Sequence, residues 1–235
     1  MNLLLLEPGD ITAAGRARLT GRRHAHVREV LRAAPGDELA AGMLNGRMGT
    51  ARITHMDSDG LELELRLDRD PPQPVPLTLV LALPRPKVLR RVLFTLAVLG
   101  MKRIILMNAG RVEKSYWQTP FLAADAVRRQ LILGLEQARD TMLPEVLVRP
   151  RFRPFVEDEL PGIAAGSSAL VAHPAADAPC PRNIAGAVTL AVGPEGGFVP
   201  FEIDLLLSTG FRAVTFGERV LTVETVIPAL AFRLF

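Results

Sequence analysis

The sequence predicts an α/β chain in two parts. A small β-rich unit with one helix comes first, and a larger unit with a mostly parallel sheet covered on both faces follows. Three observations carry this. Residues 61–67, Leu-Glu-Leu-Glu-Leu-Arg-Leu, alternate strictly, as a half-buried strand with one solvent face must. Pro71, Pro72, Pro74 and Pro76 suit neither a helix interior nor a central strand, so residues 68–76 form a stiff connection. From residue 77 onward, short apolar runs alternate with helical periodicity, the pattern of a parallel sheet. The expected boundaries are residues 1–70, a proline-rich linker at 71–76, and residues 77–235.

Taken in order, residues 3–6 are four leucines and read as a first strand. Residues 21–32 carry Val27, Val30 and Leu31 at helical spacing, and Pro35-Gly36-Asp37 stops that helix. Residues 38–43 and 47–55 are strands joined across Asn45-Gly46, a hairpin signal. Residues 57–60 form a turn before the alternating strand. In the larger unit, residues 77–83 are a buried strand. Residues 87–99 form a helix with Leu89, Val92, Leu93 and Leu96 inward, capped by Gly100. Strands follow at 103–107, 146–148, 169–172, 188–192 and 213–216. Helices follow at 121–139, 154–160, 200–208 and 223–235. Pro200 sits early in its helix, where proline is tolerated.

Composition narrows the function classes. With 235 residues and 49% apolar content, the chain can bury a sizeable core. Lys plus Arg outnumber Asp plus Glu by 28 to 25, almost all of the positive charge being arginine. Cys180 is the one cysteine, which excludes a disulfide framework and a cysteine-rich metal site and suits the cytoplasm. The four leucines at 3–6 are too short for a signal segment, and no apolar run has membrane-spanning length.

The charge is clustered. Arg16, Arg18, Arg22, Arg23, Arg28 and Arg32, with His24 and His26, face a single acid, Glu29. Two further basic groups are Arg85, Lys87, Arg90 and Arg91, and Arg149, Arg151 and Arg153. One such run is commonly a solvated face; three of them suggest a phosphate backbone as partner. His24 and His26 stand two apart, which does not put both on one helical face, so no metal is expected. Tyr116 and Trp117 are the only Tyr and Trp, which limits base stacking.

Two C-terminal stretches stand out: Val192-Gly193-Pro194-Glu195-Gly196-Gly197-Phe198 and Phe216-Gly217-Glu218-Arg219-Val220-Leu221-Thr222-Val223-Glu224-Thr225. Each follows an apolar strand and precedes a helical pattern. Three glycines in five residues let backbone N–H groups approach a bound molecule. No Gly-Lys-Ser/Thr follows, so this is not a nucleotide phosphate loop. There is no dinucleotide fingerprint, no Gly-x-Ser-x-Gly elbow and no close carboxylate pair. A cofactor held by backbone groups and apolar walls fits better.

These motifs resemble the RsmE family, the 16S rRNA uridine-N3 methyltransferases of the SPOUT, or trefoil-knotted, superfamily. The resemblance covers nearly the whole chain. His24-x-His26-Val27-x-x-Val30-Leu31-Arg32-x-x-Pro35-Gly36-Asp37 resembles the family's PUA-like N-terminal domain, and Glu136-Gln137-Ala138-Arg139-Asp140 with Pro144-Glu145 resembles its Glu-Gln helix end. The resemblance implies that the last helix threads an earlier loop, making a knot whose loops hold S-adenosylmethionine in a bent form. It implies a homodimer acting on 16S rRNA of the small ribosomal subunit. The implied cofactor-binding residues are Leu170, His173, Val192, Gly193, Pro194, Glu195, Gly196, Gly197, Phe216, Gly217, Val220 and Leu221. The implied RNA-binding residues are Arg22, Arg23, His24, Arg28 and Arg32.

For catalysis the candidates are Glu224, Arg219 and Thr222. Glu224 is either the base for the uracil N3 proton or an N-terminal cap of the last helix. Arg219 stabilises the uracil anion or binds phosphate. Two departures bear on the target nucleotide. The family usually reads Leu-Arg-Thr-Glu-Thr where this chain has Leu221-Thr222-Val223-Glu224-Thr225, and Gln-Ser/Cys-Gly-Arg where it has Gln137-Ala138-Arg139-Asp140. The alternatives are a catalytically silent RNA- or ribosome-binding paralogue, a SPOUT methyltransferase with another RNA target, and a nucleotide-binding α/β protein of metabolism.

Overall fold

The structure is a computed structural model that describes residues 1–235. The chain forms two compact units. One comprises Met1–Gln73 together with Leu131–Leu143; the other comprises Pro74–Gln130 and Pro144–Phe235.

The first unit holds β1 (Leu4–Leu6), β2 (Ile11–Ala13), β3 (Arg16–Leu19), the short helix α1 (Gly21–Ala25), β4 (Glu38–Met43), β5 (Met48–Met56) and β6 (Leu61–Arg69). Its six strands are ordered β1-β4-β5-β6-β3-β2, with only the β1–β4 pair parallel. The alternation at 61–67 works as expected at its start: Leu61 and Leu63 are buried and Glu62 and Glu64 exposed. They pack with Leu4, Leu6, Leu19, Val27 and Ile53 as the core of this unit.

The sequence reading missed β2 and β3. Ile11–Ala13 is short and half exposed, and Arg16–Leu19 alternates Arg-Ala-Arg-Leu, a strand pattern hidden in a basic run. The helix expected over 21–32 is also different. After α1 the chain widens into a π-helical turn, His26–Leu31, which ends at Arg32 in the left-handed region (φ 53°). The wider turn rotates Val30 and Leu31 into solvent, at 65% and 42% exposure, while Val27 stays buried.

Residues 131–143 belong with this unit for visible reasons. The Asn45-Gly46 turn is held from outside: Asn45 N–H donates to the Thr141 carbonyl at 2.8 Å, and Asn45 Oδ1 accepts from Leu143 N–H at 2.9 Å. Thr141 presses on the hairpin so closely that a Cβ on Gly42 would lie 2.4 Å from its Cγ2. Glu136, 1% exposed, accepts both Nη groups of Arg22, at 2.9 and 2.6 Å.

The second unit holds β7 (Val75–Ala82), α2 (Pro86–Val98), β8 (Met101–Met107), the first half of α3 (Ala124–Ala138), β9 (Glu145–Arg149), the short helices α4 (Phe152–Pro154) and α5 (Leu160–Ala164) on either side of a π-helical turn, β10 (Ser168–Ala172), β11 (Val188–Val192), α6 (Pro200–Ser208), β12 (Arg212–Val214) and α7 (Val223–Leu234). The sheet is parallel throughout, ordered β12-β10-β11-β7-β8-β9. On α2, Leu89, Val92, Leu93 and Leu96 are buried as their spacing requires, and Gly100 ends the helix at φ +76°. The 173–187 loop grips the chain end: Ile184 N–H donates to Leu234 O at 2.7 Å, while Thr215 N–H donates to Ala178 O at 2.8 Å. No helix is long and apolar enough to cross a membrane.

Arg22→Ala should cost about 1–3 kcal/mol in urea unfolding, because it strands a buried carboxylate. Arg22→Lys should recover part of that loss. A pH effect is also expected in this unit. Burial holds the His26 imidazole below its ordinary pKa of 6.5; the Met1 ammonium and Arg22 push the same way, and Glu136 opposes. Its Nε2 is buried without a hydrogen-bond partner. A lowered imidazole pKa means the unfolded chain binds this proton more readily. The contribution is therefore complete above the unfolded value and is lost as pH falls below it. The urea midpoint should drop as pH is lowered from neutrality toward about 5, and less so in His26→Gln.

Candidate active site

The carboxyl ends of β10, β11 and β12 lie side by side, since Ala172 pairs with both Val192 and Val214. Open α/β sheets place ligands at this edge. The three loops leaving these strands surround a cavity of about 480 Å³. One wall is Val192 with residues 193–198, a second is residues 214–217 and 219–223, and His173 with Pro174 closes a third side.

The glycine loop needs its glycines. A Cβ on Gly193 would meet the backbone nitrogen of Phe198 at 3.1 Å, so the loop folds back onto its own start. Gly197 has φ +72°, and its N–H closes a tight turn onto Pro194 O at 2.7 Å. Gly217 in the facing loop has φ +134°. The carboxylate of Glu195 accepts the Arg85 backbone N–H at 3.0 Å, tying the loop to the N-terminus of α2. His173 Nδ1 accepts from Ala175 N–H at 3.1 Å, which leaves Nε2 as the protonated nitrogen in the neutral ring.

The cavity thus brings together His173, Val192, residues 193–197, Phe216, Gly217, Arg219, Val220, Leu221 and Thr222 from the residues singled out in the sequence. It does not include Leu170 or Glu224. Leu170 is fully buried in the middle of β10. Glu224, in the first turn of α7, is paired with Arg91 of α2. The carboxylate thus sits at the helix end, held by an arginine. Thr222 Oγ1 is 3.0 Å from Thr225 Oγ1 at the same helix end.

Sequence reading missed Arg111. It lies in the loop after β8, lines the cavity and donates from Nη1 to Gly196 O. It belongs to none of the three basic groups, so no charge cluster pointed to it. Glu202 was missed too. It is 3% exposed on α6 and accepts Gly110 N–H at 2.6 Å and Val199 N–H at 2.9 Å. A signal existed, since a glutamate three residues after a helix cap is the capping-box spacing.

The basic segment of the first unit is partly committed to the fold. Arg22 binds Glu136, and Arg23 binds Asp10 through two bonds, at 2.6 and 2.7 Å, and also Leu5 O at 2.7 Å. His24 is 4% exposed with Nε2 unpartnered. Arg28 is exposed and pairs only with its neighbour Glu29, and Arg32 is exposed. Of the five residues expected to face RNA, Arg28 and Arg32 are exposed, Arg22 is half exposed while bound to Glu136, and Arg23 and His24 are largely enclosed.

A family model described as an RNA methyltransferase domain matches residues 71–234. The ribosomal RNA small subunit methyltransferase E of Treponema pallidum is 31% identical over 232 residues, covering 96% of this chain and 87% of that protein. Among solved structures, the ribosomal RNA small subunit methyltransferase E of Neisseria gonorrhoeae bound to S-adenosyl methionine has a TM-score of 0.76 at 22% identity, covering 98% of this chain and 95% of that one. A putative methyltransferase of Legionella pneumophila in complex with the cofactor SAM has a TM-score of 0.70 at 25% identity, with the same coverage of 98% and 95%.

Gly197→Ala should cost about 1 kcal/mol, the penalty of a left-handed Cβ. Gly193→Ala should cost more, because a backbone atom cannot swing aside as a side-chain tip can. Thermal unfolding of both variants against the parent checks the order.

Proposed function

Because the chain belongs to the RNA methyltransferase family, as a ribosomal RNA small subunit methyltransferase E of SPOUT knotted fold, we propose that it methylates N3 of a uridine in 16S rRNA, with S-adenosylmethionine as methyl donor. The observation that carries this reading is the cavity at the strand ends. It is built from a glycine loop folded tightly enough that a Cβ at Gly193 would meet its own backbone, apolar walls at Val192, Leu221, Val226 and Leu230, and two arginines. Those features fit a cofactor held by main-chain groups in an apolar pocket.

When bound, the cofactor supplies an electrophilic methyl group on a sulfonium. The chain's own residues do the rest. Residues 193–197, 216–217 and 220–221 hold the cofactor, so that the methyl and the incoming base meet in a fixed orientation. The imide N3–H proton passes to solvent water before N3 attacks. Arg219 and Arg111 are the cavity's arginines and favour the uracil anion electrostatically. Glu224, held by Arg91, anchors the head of α7 in this reading, and Thr222 presents a hydroxyl where the family pattern has an arginine.

Arg28 and Arg32 contact the phosphate backbone from the first unit. The protein works in the cytoplasm as a homodimer. Support for a second copy comes from Phe201 on α6, Val220 before α7 and Phe232 on α7, exposed at 56%, 80% and 78%.

The test is transfer of labelled methyl to small ribosomal subunits or 16S rRNA from cells lacking the gene. Label at a single uridine N3, seen as a reverse-transcription stop, is the expected result. S-adenosylmethionine binding without transfer to any RNA would mark a silent paralogue, and label on another RNA would move the target. Arg28→Ala with Arg32→Ala should weaken RNA binding and lower the slope of log affinity against log salt by roughly 2; an unchanged slope removes this face from the interface.

A further inference from the structure

Glu202 presents a problem that helix capping alone does not solve. A buried carboxylate is costly unless its oxygens are satisfied. Capping α6 uses one oxygen, on Val199 N–H. The other reaches a loop 92 residues away and accepts Gly110 N–H at 2.6 Å, the shorter of the two bonds. Both donors belong to loops at the cavity: Val199 closes the glycine loop, and Gly110 immediately precedes Arg111. Arg111 in turn lies along the glycine loop. A Cβ on Gly196 would sit 3.0 Å from its Cδ, and its Nη1 donates to Gly196 O. The glycine loop, closed on itself by the Gly197 N–H bond to Pro194 O, is thus also held from outside at its end by Glu202 and at its middle by Arg111.

We propose that Glu202 and Arg111 form a two-point clamp that sets the glycine loop for the cofactor, with Glu202 acting as a positioning residue for Arg111 through the Gly110 peptide. The clamp rests on the cofactor reading above for its consequence, though not for its geometry. Glu202 touches neither cofactor nor RNA; it fixes where the guanidinium lies. The effect of Glu202 on the cofactor therefore passes largely through Arg111, and the two residues are energetically coupled.

The test uses the full chain. Glu202→Gln keeps the shape but turns one acceptor into an NH2 group facing an N–H donor. Arg111→Ala removes an exposed side chain and leaves the fold intact, so it serves where Glu202→Gln weakens the protein. Hydrogen exchange on the cofactor-free protein should show faster exchange at 109–112 and 193–199 in Glu202→Gln, and at 193–199 in Arg111→Ala. Calorimetry with S-adenosylmethionine should show about tenfold weaker binding in each single variant, and in the double variant no more than about twofold beyond the weaker single. Arg111→Lys should recover part of the affinity, since it restores a donor to Gly196 O. Exchange changes confined to residues 199–202 would reduce Glu202 to a helix cap and overturn the clamp. Fully additive losses would overturn the coupling, and unchanged affinity in Arg111→Ala would overturn the functional role. If the unmodified protein binds no S-adenosylmethionine, the cofactor reading fails and exchange alone still decides the clamp.

Discussion

The cofactor end of the molecule depends on one constraint, the burial of β11 on both faces and both edges. All five of its residues are buried, and it pairs in unbroken parallel register with β10 on one side and β7 on the other. A strand so placed carries no polar face and admits no slip, because a one-residue shift would move its partners out of register on both sides. Its end at Val192 is therefore level with Ala172 and Leu81. With β12 outside β10, three loops must leave the sheet within about 10 Å of one another. Crowding at that point explains the glycines. The chain has to turn back against Phe198 at once, and a side chain at Gly193 has no free space.

This constraint also explains what was legible in the sequence. β11 and the glycines after it are local features: an apolar run, then residues tolerant of positive φ. The parallel sheet was readable because its central strands, β7 and β11 above all, are largely buried on both faces and show as mainly apolar runs. Arg111 and Glu202 were not readable, because their meaning lies in contacts between residues 85 and 92 positions apart. A single arginine in a loop and a glutamate at a helix start look ordinary until the sheet order brings β8 and α6 to the same corner. The surroundings of Glu224 were hidden for a related reason. Its place next to the motif was clear, but which face of α7 it occupies depends on Arg91, an arginine already counted as surface charge.

The first unit teaches a different lesson about basic runs. Charge density in a sequence says nothing about where each guanidinium ends. Arg22 and Arg23 lie on a short α1, and their guanidiniums reach Glu136 and Asp10. Arg28, inside the π-helical turn, and Arg32, at its end, are exposed. The wider turn is what separates the two pairs, and it also exposes Val30 and Leu31. The same carboxylate at Glu136 fastens residues 131–143 to the β-rich unit, so this unit is discontinuous in sequence and takes in the second half of α3.

The charges around the cavity show a consistent division of labour. Glu195, Glu202 and Glu224 all lie on or beside its loops, and each is engaged by the protein: by Arg85 N–H, by Gly110 and Val199 N–H, and by Arg91. The acids hold loops, and Arg111 and Arg219 are the arginines on the wall. For methyl transfer from a sulfonium to a uracil anion, positive and negative charge cancel as the bond forms. An apolar wall therefore favours the step, since charge is being lost and little solvation is needed at the end. The difficult part is creating the anion beside a sulfonium in a dry pocket. Arginines answer that need and carboxylates would oppose it, which gives a physical reason for keeping Glu195, Glu202 and Glu224 occupied by the protein.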